Sequence, residues 1–94
     1  MAILMEIDFP GVTAEQYDQA DKRAGTRAAQ APDGLLFHSA IVTGAGLHVV
    51  DLWESREKLD AFMGRMMPVT KELGFADPKA PPEVTEVHHH FERR

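Results

Sequence analysis

The runs "LLFHSAIVT" (35–43) and "LHVVDLW" (47–53) flank Gly44-Ala45-Gly46. Two β-branched, aromatic-rich runs joined by a short glycine loop read as a hairpin. With Thr43 opposite Leu47, the register places Phe37 opposite Trp53, Ser39 opposite Asp51 and Ile41 opposite Val49. The other face then carries Leu36, His38, Ala40, Val42, His48, Val50 and Leu52. Both faces are mainly apolar. A hairpin of this kind needs cover on both sides, and that requirement limits what the rest of the chain can do.

The flanking segments supply cover for one side. "AILMEIDF" (2–9) reads as a strand stopped by Pro10-Gly11. Thr13 and Gln16 have the spacing of a capping box, and Val12 can staple onto Tyr17, so a helix is expected from there to about Ala31. Its inward stripe is Tyr17, Ala20, Ala24 and Ala28. Ser55 caps a second helix through Leu73, with the stripe Leu59, Phe62, Met63, Met66 and Leu73. Pro68 is expected to kink or restart it, and Gly74 to end it. After the proline-rich "FADPKAPP", "EVTEVHHHF" (83–91) reads as a last strand. The order β-α-β-β-α-β with right-handed crossovers gives a four-stranded antiparallel sheet with both helices on one face. At 94 residues this is one domain, 1–94, with a thin core. The uncovered face, with Leu36, Ala40, Val42, Val50 and Leu52, is most simply closed by a second copy, so a homodimer is expected.

Composition removes several function classes. There is no cysteine, hence no disulfide, thiolate site or thiol nucleophile. A formal charge of −5 with scattered basic residues argues against nucleic acid and anionic membrane as partners. No apolar run approaches the roughly 20 residues of a membrane span, and "MAILMEIDFPG" lacks a basic n-region, so a cytoplasmic location is expected.

Through "GVTAEQYDQA", "GLLFHSA", "VVDLWESREKLDAFM" and "PPEVTEVHHHF", the chain resembles the dimeric α+β barrel superfamily. Within it, the chain is most similar to the antibiotic-biosynthesis-monooxygenase-like proteins. The resemblance implies a ferredoxin-like dimeric α+β barrel. It also implies a cofactor-free oxygenase, or a related isomerase or cyclase, acting on a hydrophobic aromatic or polyketide-like molecule. Trp53 matches a strand-end tryptophan that lines the pocket of such relatives. Haem-degrading relatives use an asparagine on the first strand and a histidine on the second helix. This chain has Glu6 and Asp8 in the first segment and no histidine in 55–73. No cofactor is expected.

The residues themselves point to a pocket between helices and sheet. Asp51 shares a face with Trp53, and a carboxylate among Phe37, Ile41 and Val49 would be poorly solvated, which suits a general base. Asp51, Trp53 and His38 are the catalytic candidates, although this register turns His38 away from Trp53 and only a one-residue slip would bring it inside. Tyr17, Phe37, Ser39, Phe62, Met63 and Met66 are the expected substrate contacts, the methionines forming a soft wall for a flat ligand. The alternative is a non-catalytic ligand-binding or structural homodimer, in which Asp51 is exposed or paired. Next to Phe91, the three histidines His88, His89 and His90 would alternate along the last strand, His88 and His90 on one face. Only Glu6 or Asp8 is near enough to complete a site there, and no metal is expected.

Overall fold

The computed structural model describes residues 1–24 and 31–91. The elements follow the expected order: β1 (Ile3–Pro10), α1 (Ala14–Ala24), β2 (Leu35–Thr43), β3 (Gly46–Trp53), α2 (Arg56–Glu72) and β4 (Glu83–Glu86). The strands form one antiparallel sheet in the order β2-β3-β1-β4. Residues 25–30 of the expected extension of α1, with Ala28 of its stripe, lie outside the described residues, and Ala31, the expected end, is not helical.

Pleating sorts the strand residues between two faces. On one face Ile3, Met5 and Ile7 of β1 lie opposite Trp53, Asp51 and Val49 of β3. These apolar side chains join Val12 and Leu59 in the main buried cluster, with Tyr17, Phe62 and Met63 packed against it. Both helices therefore cover this one face. Trp53, Met5 and Leu59 are its most deeply buried large side chains. Full burial of a side chain of this size stabilises the fold by roughly 1.5–3 kcal/mol. A second cluster lies between the helices, where Ala20 and Ala24 meet Met66, Phe62 and Leu73.

The hairpin register differs from expectation by one residue. Thr43 pairs with Gly46, so the turn is Gly44-Ala45, and Val42, Ala40 and His38 face Leu47, Val49 and Asp51. Gly46 explains the tight closure. It sits at φ 134, and a Cβ there would come within 2.3 Å of the Phe9 carbonyl oxygen. The β1–α1 corner is pressed against the hairpin end at this point, where Gly11 N–H donates to the Ala45 carbonyl at 3.0 Å. At the other end, Leu35 pairs with Trp53 and Phe37 with Leu52, so Leu36 is the extra residue of a bulge. Ala40 and Val42, expected on the open face, lie on the helix face. Phe37, Ser39 and Ile41, expected inside, lie on the open one.

Helix starts are set by their caps. Thr13 Oγ1 accepts from Gln16 N–H at 3.2 Å, and Gln16 Oε1 accepts from Thr13 N–H at 3.0 Å, a reciprocal capping box. Ser55 adopts an extended backbone and its Oγ accepts from Lys58 N–H at 3.2 Å. α2 continues through Pro68 as one element, so the expected restart does not occur. Gly74 follows at φ 83, in the left-handed region that favours glycine after a helix end.

The last strand is shorter than expected. It covers Glu83–Glu86, paired to Glu6–Ile3, and one more bond joins Val87 N–H to the Ala2 carbonyl at 2.9 Å. His88, His89 and His90 lie beyond it and are exposed. The alternation argument for them therefore lapses, because the ladder ends where β1 begins. Among the described residues no group of three or more histidine, aspartate or glutamate side chains is arranged to hold a metal ion. None of the described helices is long and apolar enough to cross a membrane.

Candidate active site

Asp51 is the residue around which the site is built. It stands on the helix face of β3, between Val49 and Trp53, and is buried. The hairpin register sets His38 directly opposite. His38 Nδ1 lies 2.6 Å from Asp51 Oδ1. From above, the capping box starts α1 so that Tyr17 falls in its first turn, and the Tyr17 hydroxyl reaches His38 Nε2 at 2.5 Å. The second Asp51 oxygen, Oδ2, accepts from the Trp53 indole N–H at 3.4 Å.

The partners set the proton positions. An ionised Asp51 can only accept, so His38 Nδ1 carries the hydrogen. Nε2 is then a lone-pair acceptor, and the Tyr17 O–H donates to it. The result is a chain Tyr17–His38–Asp51, with Trp53 holding the far end. Such a chain can take a proton at Tyr17 or Nε2 and leave the positive charge beside a carboxylate.

Tyr17, His38 and Asp51 open onto a cavity of about 90 Å³ between the helices and the sheet. Met5, Ile7 and Val49 form its sheet side, and Phe62, Met63 and Met66 its α2 side. Phe9 and Phe75 also line it and pack edge to face, with ring centroids 5.4 Å apart. Asp21 and Thr70 are its other polar residues.

Of the nine residues expected at the site, six meet around this cavity: Tyr17, His38, Asp51, Phe62, Met63 and Met66. Phe37 and Ser39 do not, because the one-residue register difference turns them to the opposite face. Trp53 does not line the cavity. It is wholly buried behind Asp51, with its ring centroid 5.1 Å from that of Phe62. Phe75 and Asp21 are additions that sequence reasoning missed. Phe75 sits in what reads as a connecting segment. Asp21 is one turn beyond Tyr17 on α1, and that i, i+4 spacing was a usable signal.

A second titratable group stands on the open sheet face. His48 Nδ1 is 2.7 Å from Asp8 Oδ1, and its Nε2 is 3.4 Å from Glu6 Oε1. The hydrogen bond to Asp8, aided by the charges of Asp8 and Glu6, holds the His48 pKa above the ordinary histidine value despite some desolvation. The sheet separates it from the cavity.

These observations define a ferredoxin-like α+β fold with an apolar cavity and a buried tyrosine–histidine–aspartate chain. Known structures share the fold. A candidate antibiotic biosynthesis monooxygenase from Deinococcus radiodurans superposes with a TM-score of 0.63 at 14% identity, covering 100% of this chain and 99% of that one. SnoaB, a cofactor-independent oxygenase from Streptomyces nogalater, gives 0.64 at 7% identity, over 98% of this chain and 97% of its own. Rv0793 from Mycobacterium tuberculosis gives 0.60 at 17% identity over the full length of both. The chain thus has the fold of the antibiotic-biosynthesis-monooxygenase-like structures, and identities this low establish fold alone. No family model matches the sequence, and no curated protein matches it.

Proposed function

We propose that the protein is a small cofactor-independent enzyme of the monooxygenase type, acting on a hydrophobic aromatic molecule with an acidic O–H or C–H. The observation that carries this reading is the Tyr17–His38–Asp51 chain at the wall of an otherwise apolar cavity. The base is His38, reached directly or through the Tyr17 hydroxyl. Asp51 is a positioning residue, since its two oxygens are engaged by His38 and Trp53. Trp53 in turn holds Asp51 and need not touch substrate.

In the oxygenase form, His38 takes a proton from the substrate and the resulting phenolate or carbanion reduces dioxygen. For a methylene substrate, one methylene group and one dioxygen give one carbonyl group and one water, with a peroxide adduct at carbon on the way. The methylene carbon loses two hydrogens and gains one oxygen atom, and the second oxygen atom leaves as hydroxide. The proton held on His38 returns to that hydroxide, so no external reductant is needed. Without dioxygen the same base supports isomerisation or cyclisation. The cavity volume of about 90 Å³ bears on substrate size. A cavity of about 150 Å³ is known to hold benzene, so this smaller one takes even a single ring only where Met63 and Met66 move aside, and a fused system less readily still. The fold shared with SnoaB supports the oxygenase form, and a homodimer through the open sheet face belongs to the same reading.

A second reading is a binding-only module. Both Asp51 oxygens already have partners, as a purely structural polar cluster would require. Deuterium exchange at acidic C–H positions of monocyclic phenolic ketones separates the two, with oxygen uptake measured in parallel. The enzyme reading expects exchange that falls by at least roughly 100-fold in His38→Ala. Asp51→Asn should fall comparably, because its amide would donate to Nδ1 and leave Nε2 protonated. Saturable binding with no exchange selects the binding module. Exchange that survives in both variants removes His38 and Asp51 from the chemistry.

A further inference from the structure

Phe62 is shared by the cavity and by a surface groove of about 470 Å³ between α2 and the Pro32-Asp33 segment. Lys58, Ala61 and Arg65 line that groove from α2. No other residue lines both spaces. The contacts of the Phe62 ring place it between them. Its inward neighbour is the wholly buried Trp53, with ring centroids 5.1 Å apart. Its outward neighbour is the exposed Arg65, whose guanidinium lies 5.3 Å from the Phe62 ring centroid and donates to the Ala24 carbonyl at 3.4 Å. Phe62 itself is half-buried, as a side chain between interior and surface has to be.

The same contacts lead from Phe62 to the proton-transfer chain. The Trp53 indole N–H is 3.4 Å from Asp51 Oδ2, and Asp51 Oδ1 is 2.6 Å from His38 Nδ1. Phe62 therefore belongs to the end of the cavity at which that chain lies. Volume gives this position its meaning. The cavity, at about 90 Å³, is smaller than the roughly 150 Å³ known to hold one benzene ring. Displacement of Met63 and Met66 can make up that difference. The larger reserve of space lies past the Phe62 ring.

We propose that Phe62 is the size-determining residue of this cavity: with its ring in place the cavity is held to single-ring ligands, and a fused two-ring ligand binds only where that ring gives way and joins the cavity to the groove. The proposal deepens the reading of the cavity as a substrate site and rests on it. Keeping Phe62 in place are its packing on Trp53 and the Arg65 guanidinium over its ring.

Phenol and 2-naphthol are suitable probes, because they share a hydroxyl and differ by one ring. Calorimetric titration gives the ratio of their affinities. In Phe62→Ala the ratio should shift toward naphthol by about tenfold, the gain from burying roughly 60 Å² more apolar surface. Phe62→Leu, a smaller change to the core, should shift it in the same direction but less, with folding of both variants checked by urea unfolding. Met67→Ala is the contrast. Met67 also lines the cavity but is 53% exposed, so trimming it opens the cavity to solvent and should shift the ratio less than Phe62→Ala. A ligand-free measurement stands beside these. The chain has one tryptophan, so its fluorescence reports on Trp53 alone. Acrylamide should quench it more strongly in Phe62→Ala than in the unaltered protein. An unchanged ratio in both Phe62 variants overturns the proposal, as does a shift in Met67→Ala as large as that in Phe62→Ala. Unchanged quenching in Phe62→Ala, or failure of that variant to bind naphthol at millimolar concentration, overturns it too. If the unaltered protein catalyses no deuterium exchange while the Phe62 variants still shift the ratio, the size limit stands and the enzyme reading falls.

Discussion

Trp53 is the side chain on which the interior depends most. It has no solvent exposure, packs on Phe62, and gives its N–H to the buried carboxylate of Asp51. Removing a side chain of this size from a core costs about 3–5 kcal/mol. A domain of 94 residues has in total something on the order of 5–14 kcal/mol. Trp53→Ala should therefore shift the urea midpoint to a small fraction of its original value or prevent folding. Trp53→Phe keeps most of the volume but leaves one oxygen of Asp51 without its donor, an expected loss of about 1–3 kcal/mol. A Trp53→Phe midpoint equal to that of the unaltered protein would show that the indole N–H contributes nothing. His48 offers a residue-scale test by pH. Its pKa is raised by the bond to Asp8, so its stabilisation is complete below about 6.5 and disappears as pH rises through the higher folded value. Its partners are solvent-exposed, which keeps that contribution small. Nuclear magnetic resonance titration of the His48 ring should give a value that drops toward the ordinary one in Asp8→Asn. No drop would mean that Asp8 is not the cause.

At the scale of elements, the β2–β3 hairpin decides which side chains form the site. Gly46 and Gly44 make a controlled pair. A methyl at Gly46 would overlap the Phe9 carbonyl oxygen and the Gly11 nitrogen, whereas one at Gly44 meets nothing within 4 Å. Gly46→Ala should unfold the corner or displace the register, seen as a large fall in melting temperature and loss of the 2.6 Å His38–Asp51 contact. Gly44→Ala should change the melting temperature little. If the two variants melt alike, the close approach at Gly46 is not what fixes the turn. The same hairpin shows where sequence reading succeeds and fails. Element order, caps at Thr13 and Ser55, and the α2 stripe follow from local chemistry, and all are legible. Register is not local. One residue more or less in the turn exchanges Phe37, Ser39 and Ile41 for His38, Ala40 and Val42, and both sets suit an apolar face. What separates them is the fit of Gly46 against Phe9 and Gly11, a contact between distant parts of the chain. The end of β4 is hidden for a similar reason: "EVTEVHHHF" has the pattern of a strand throughout, but its partner β1 begins at Ile3. Asp21 was legible as an i, i+4 partner of Tyr17, whereas the part played by Trp53 required knowing that its indole N–H turns back onto Asp51.

At the scale of the molecule, one sheet face is covered by α1 and α2 and the other is not. The open face presents Phe37 at 50% exposure and Ile41 at 48%, beside Leu4 and Val50. Apolar side chains grouped in this way on an unpaired sheet face mark an interface, and a second copy of the same face is self-complementary. Glu6, Asp8 and His48 form a charged end to the patch, which would fix the rotation of one copy against the other. We expect a particle of twice 10.5 kDa by light scattering. Ile41→Asp should convert it to a folded monomer, because it adds charge only to the open face. Ala40→Asp is the contrasting variant. Its side chain packs against the core beneath the helices, where an unpaired carboxylate destabilises the fold itself by several kcal/mol. The expected outcome is thus dissociation in one variant and unfolding in the other, read by light scattering and circular dichroism together. In the unaltered protein the melting temperature should rise with concentration, and in Ile41→Asp it should not. A 10.5 kDa particle from the unaltered chain at micromolar concentration would remove the dimer, and the open face would then need another explanation.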